Sequence, residues 1–109
     1  MDDCIFCKIA NKAIPKEFIY QDEDVMVFPD IHPVRTIHLL IVPKKHFSEL
    51  TTVDSPIVLE KLFIIVQSMI REQQLHDKGY RVVINGGGAQ IVPHLHIHLM
   101  GPMKKTDVM

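Results

Sequence analysis

The sequence has no tryptophan, only two cysteines and five glycines, and aromatic residues make up just 6% of it. With so few rings, the core has to be aliphatic. The two cysteines, Cys4 and Cys7, are too few and too close together to staple a secreted domain. An excess of either charge is missing as well: 12 Lys and Arg against 13 Asp and Glu leave a net −1. That balance argues against an extended electrostatic surface for nucleic acid, but leaves room for a site that takes one small anion. No apolar run is long enough for a signal peptide or a membrane span, and the start, Met1-Asp2-Asp3-Cys4, is acidic. A reduced, cytoplasmic setting is the expectation.

What is present fits one domain of 109 residues. An apolar fraction of 47% against 23% charged excludes a disordered chain. The outlying number is seven histidines. Imidazole titrates near neutral pH, ligates metals and attacks electrophiles, so their placement decides the reading.

Residues 3–11 predict one or two helical turns. Glu17–Tyr20 and Val25–Phe28 read as a hairpin around the acidic turn Gln21-Asp22-Glu23-Asp24. Phe28-Pro29-Asp30-Ile31-His32-Pro33 is a loop, since two prolines exclude a central strand. Ile37–Val42 predicts a buried strand ending at Pro43. One long helix follows, with Ser55 as N-cap, Pro56 at the first helical position and Gly79 as the stop. Its stripe of Val58, Leu62, Ile65, Val66 and Met69 is widened by Leu59, Phe63 and Ile70 beyond what one sheet needs. That surplus suggests a second subunit. Tyr80–Asn85 and Leu95–Met100 predict two more strands, with Gly86–Gly88 a flexible loop. The expected class is therefore α+β, a five-stranded, mainly antiparallel sheet with one long helix.

His94-Leu95-His96-Ile97-His98-Leu99-Met100 carries the functional argument. Alternation puts three imidazoles on one strand face and Leu95, Ile97 and Leu99 on the other. With seven histidines in 109 residues, chance gives such a pattern about 3% of the time. Alternate residues stand about 6.7 Å apart and His94 and His98 about 13 Å, so one metal cannot take all three rings without bending the strand. The three histidines divide their labour. Asn85-Gly86-Gly87-Gly88-Ala89-Gln90 offers backbone and amide donors suited to phosphate oxygens. Asp30, in its proline-bounded loop, suits the vicinal hydroxyls of a sugar.

These segments resemble the histidine triad (HIT) family. His94–Met100 fits its alternating signature, and Ile5–Ile9, Phe28–Ile31, His38–His46 and Asn85 fall in its order and approximate spacing. The resemblance runs from Cys4 to Gly101 and is nearest the Hint-type branch. It implies a nucleotide-binding fold that dimerises through the long helix into a ten-stranded sheet. It also implies transfer or hydrolysis at the α-phosphate of purine nucleoside phosphoramidates. His96 would be the nucleophile that forms a covalent nucleotidyl-histidine. His98 and Asn85 would contact phosphate oxygens, with Gln90 nearby, and His38 would orient the site from behind. Asp30 would bind the ribose, and Ile5, Phe6, Ile9, Phe28 and Ile31 would wall the base. The chain departs from the family at Ala89, Ile91 and Pro93, on the leaving-group side.

Zinc-bearing relatives imply a structural zinc on Cys4, Cys7, His46 and His94. One alternative is a zinc hydrolase in which His94 and His96 hold a metal that activates water. Another is a nucleotide-binding regulator whose catalysis is vestigial. His32 and His76 read as loop and helix-surface residues.

Overall fold

The computed structural model describes residues 3–108. Met1 and Asp2, part of the acidic start, lie outside the described residues. The chain forms α1 (Ile5–Ala10), β1 (Tyr20–Gln21), β2 (Val25–Pro29), β3 (Ile37–Pro43), a 3-10 turn at Leu50–Thr52, α2 (Pro56–Glu72), β4 (Arg81–Ile84) and β5 (Ile97–Gly101). The strands make one sheet in the order β1-β2-β3-β5-β4, and every ladder is antiparallel. The α+β expectation holds.

Period-two alternation gives the sheet two different faces. Val25, Val27, Leu39, Ile41, Ile97 and Leu99 pack on one face against Leu62, Ile65, Val66 and Met69 of α2. Burying each such side chain contributes about 1.5–3 kcal/mol. Met26, Phe28, Leu40 and Val42 turn the other way and meet Phe6 and Ile9 of α1. The triad imidazoles belong to this second face. Leu40 lies opposite His98, and His38 opposite Met100, across the β3–β5 ladder.

Several boundaries differ from the sequence expectations by a residue, β2 taking in Pro29 and β4 covering only Arg81–Ile84, and three differences have a physical reason. Strand β1 is Tyr20–Gln21 rather than Glu17–Tyr20, and its turn-side end is set by the Asp22 side chain, which accepts from the Asp24 and Val25 N–H groups at 2.8 Å. Helix α2 starts as expected, with the Ser55 hydroxyl accepting from Ile57 N–H. It ends at Glu72, however, seven residues before Gly79. Gln74 takes the left-handed conformation at φ 58°. Leu75 N–H then reaches the Ile70 carbonyl at 2.9 Å and Gln74 N–H the Arg71 carbonyl at 3.0 Å. That closing pair is a Schellman stop. Burial of Leu75, 1% exposed, secures it in place of a glycine. His76 consequently lies in a turn beyond the helix. Gly79 has another duty. At φ +82° a Cβ there would lie 1.9 Å from the Met103 carbonyl oxygen, so only glycine lets the C-terminal segment approach.

The third difference bears on the site. Strand β5 begins at Ile97, so His94, Leu95 and His96 precede the ladder. Its last β3 pairing is Ile41 with Ile97. Leu95 N–H bonds instead to the Phe47 carbonyl at 2.7 Å. The triad segment therefore enters the sheet from a loop that has its own partners.

Candidate active site

The second face of the sheet is hollowed into a cavity of about 450 Å³. Ile5, Phe6, Ile9, Phe28 and Ile31 line it, as do Asp30, His38, Asn85, His96 and His98. Sequence reasoning missed Lys16 and His32 at this cavity, whereas Ile91, placed on the leaving-group side, does line it. Lys16 and His32 carry no motif, and only the folded chain brings them to the opening. Gln90 is engaged elsewhere. Its amide donates to the Ser48 carbonyl at 3.1 Å and accepts from Gly88 N–H at 3.0 Å. Gly87 N–H is likewise taken, by Glu49 at 3.0 Å. Three of the loop donors expected to face phosphate, Gly87 N–H, Gly88 N–H and the Gln90 amide, are thus satisfied by the protein itself.

The three triad histidines have three environments. His94 is completely buried. Its Nε2–H donates to the Pro43 carbonyl at 2.7 Å, which leaves the Nδ1 lone pair facing Cys4 Sγ at 3.2 Å and Cys7 Sγ at 3.6 Å. His46 Nδ1 stands 3.3 Å from Cys7 Sγ. The four ligand atoms all lie within 4.8 Å of one another. Burial pushes the His94 pKa down to about 4, so its ring is neutral. Burial and the adjacent Cys4 sulfur push the Cys7 thiol up. Two thiols and two imidazoles, one of them neutral and oriented by a backbone carbonyl, fit a tetrahedral zinc site.

His96 is 7% exposed, and its Nδ1–H donates to the His94 carbonyl at 2.8 Å. That bond puts the proton on Nδ1 and the free lone pair on Nε2. The Phe6 ring packs edge-on at 5.2 Å between centroids. Helix α1 thereby holds the ring in place while supplying part of the cavity wall. Cys4 caps that helix, its sulfur accepting from Cys7 N–H at 3.4 Å.

His98 is set by His38. Val34 N–H donates to His38 Nδ1 at 3.1 Å, so the proton of the neutral His38 ring sits on Nε2. From there it is donated to His98 Nδ1 at 2.9 Å, with Asp30 Oδ2 at 3.3 Å. His98 therefore carries its own proton on Nε2 and is a donor there. Burial, reinforced by His96 and His38 and opposed by Asp30, pushes the His98 pKa down to about 4. Burial also lowers His38, against the pull of Asp30.

These tautomers bear on where a metal fits. Asp30, His38 and His98 also converge within 4.8 Å, but the Nε2 proton of His38 occupies the position a metal would need. The lone pairs of His94 and His96 do not converge either. One faces the thiols, while the Nδ1 of the other is spent on the His94 carbonyl. A water-activating metal held by that pair does not fit this arrangement.

An imidazole held rigidly through its Nδ1–H, beside a second imidazole presenting a donor, defines a histidine-centred site for acting on an anionic group. The family model for the HIT domain matches residues 11–105, and the chain belongs to that family. It is 43% identical over 105 residues to protein HitA of Neisseria gonorrhoeae, covering 93% of this chain and 97% of that one. It also resembles a HIT family hydrolase from Legionella pneumophila at 37% identity and TM-score 0.87, over 95% of this chain and 96% of that one. A histidine triad nucleotide-binding protein from Candida albicans is similar at 31% identity and TM-score 0.82, over 89% of this chain and 73% of the other.

Proposed function

We propose that the protein is a Hint-type nucleotidyl hydrolase or transferase that cleaves purine nucleoside phosphoramidates through a covalent nucleotidyl-His96. The observation that carries this reading is the His96 tautomer, with Nδ1–H fixed on the His94 carbonyl at 2.8 Å. Nε2 then forms a bond to the α-phosphorus as the bond to the leaving amine breaks, and the amine takes a proton from solvent. Water next attacks phosphorus, releases the nucleoside monophosphate and returns the lone pair to Nε2. The Nε2–H of His98 and the amide of Asn85 stabilise the phosphoryl oxygens, Asp30 meets the ribose, and the apolar wall takes the base. Rapid quenching with an adenosine or guanosine phosphoramidate tests the scheme. A mass increment of one nucleotidyl group on the peptide holding His96 supports it. Turnover without any adduct in wild type and in slow variants counts against it. Binding with neither turnover nor adduct would point to a vestigial regulator.

Cys4, Cys7, His46 and His94 hold a structural zinc in this reading. Its chemistry is to neutralise the two sulfurs and tie the start of α1 to the triad segment. A homodimer completes the assembly, supported by the exposed Phe63 and Ile64 on α2 and by β4 at the sheet edge.

A further inference from the structure

The cavity is chemically lopsided. Its polar side chains Asp30, His38, Asn85, His96 and His98 gather where the reading above puts sugar and phosphate, and the base wall is made of carbon. One cation reaches that carbon wall. Lys16, half-buried on the segment between α1 and β1, lines the cavity with its Nζ 5.0 Å from the centre of the Phe28 ring. Phe28 is 2% exposed and packs edge-on with Phe6 at 5.8 Å. Among the described residues, no carboxylate lies within ion-pairing distance of Lys16. Its three N–H donors are thus free to serve a ligand.

We propose that Lys16 discriminates between bases, its ammonium donating to O6 and N7 of a 6-oxopurine lying on the Phe28 side of the cavity. This rests on the nucleotide reading. A 6-oxopurine presents two adjacent acceptors on that edge, whereas adenine presents one acceptor beside an amino group. Donor facing donor leaves the adenine amino group and one ammonium N–H without that bond, so the preference comes as much from penalising adenine as from attracting guanine. The preferred substrates are then guanosine and inosine 5′-phosphoramidates over adenosine ones. The Lys16 stem covers part of Phe28 whatever the ligand, so loss of stability on substitution does not bear on the choice.

Calorimetric titration of the zinc-loaded protein with GMP, IMP and AMP tests this, in wild type, Lys16→Met and Lys16→Arg. The wild type is expected to bind GMP and IMP about fivefold or more tighter than AMP, the size of a partly solvated charge-assisted hydrogen bond. Lys16→Met brings GMP and IMP down to the AMP affinity, and Lys16→Arg retains the preference. Inosine, lacking the 2-amino group, ties the effect to O6 and N7. Equal wild-type affinities for the three overturn the inference and leave the nucleotide reading standing. Equal weakening of all three by Lys16→Met overturns it too, since the charge would then be acting on phosphate. If none of the three binds, the nucleotide reading falls, and this inference with it.

Discussion

His96 donates its Nδ1–H to the backbone carbonyl of His94 at 2.8 Å, so the buried imidazole facing the thiols and the cavity imidazole are joined through one peptide group. Strand alternation alone does not produce this, because the two side chains only share a face. It arises because His94 and His96 precede the β5 ladder, where the His94 carbonyl is free to accept a side-chain proton.

From that bond follows the first prediction. His96→Ala should lower kcat/KM on a nucleoside phosphoramidate by about 10²-fold or more, the usual cost of removing a principal catalytic group. Binding of the corresponding monophosphate should survive, since the apolar wall and Asp30 are untouched. Steady-state kinetics and calorimetry on the same preparation check both halves. Undiminished turnover would displace His96 from the nucleophile's role.

Acid should loosen the cavity through His98. Its folded pKa, near 4, lies below the ordinary imidazole value of about 6.5. Between those values the unfolded chain binds the proton and the native one does not. The stabilisation is therefore complete above pH ~6.5 and is lost as pH falls toward ~4. His38 is displaced in the same direction. Titration of the His98 ring by NMR should give a midpoint far below 6.5. The stability–pH slope of His98→Asn should be shallower than wild type by about one proton across that window. A wild-type midpoint near 6.5 would mean that His98 is solvated and free of His38.

Much of this was legible in the sequence because burial and alternation write themselves into residue type. Leu95, Ile97 and Leu99 against His94, His96 and His98 announced two faces, and the face rich in Leu, Ile and Val did turn to α2. What sequence could not carry was the ending of α2, where Gln74 adopts φ 58°. A buried Leu75 outweighed the usual preference for glycine there. Gly79 looked like the stop because glycine signals a positive φ without saying what approaches it. The loop at 85–90 misled for a related reason. Backbone N–H groups are present in any glycine run, but whether Glu49 and Gln90 consume them depends on residues brought in by folding. Lys16 was invisible for the same cause.

The proposed homodimer would rest on α2 and β4. Ile57, Phe63 and Ile64 are 74%, 42% and 53% exposed, an unusual amount of apolar surface on one helix. At the end of the sheet order, β4 leaves one edge unpaired. Sedimentation at micromolar concentration should give about twice 12.5 kDa. Phe63→Glu, at a position 42% exposed in the single chain, should move the mass toward the monomer. A clean wild-type monomer refutes the assembly.

Zinc removal makes the most exposed prediction. Cys4 and Cys7 come from the start of α1, His46 from just after β3 and His94 from just before β5, so the site ties three distant segments together. Burial holds His94 neutral and ready to ligate, whereas burial and the neighbouring Cys4 sulfur make the Cys7 thiol resist ionisation until a cation arrives. Metal binding should therefore be coupled to folding of the N-terminal segment. Elemental analysis of gently purified protein should find about one zinc per chain. Cys4→Ser should lower zinc content and the thermal midpoint together, with less effect on the turnover of molecules that remain folded. Brief chelation separates structure from chemistry. With a structural ion, turnover declines no faster than the fold loosens, because His96 Nε2 needs no metal to attack. Loss of activity at once, with the melting profile unchanged, would give the metal a place in the reaction and return His94 to it.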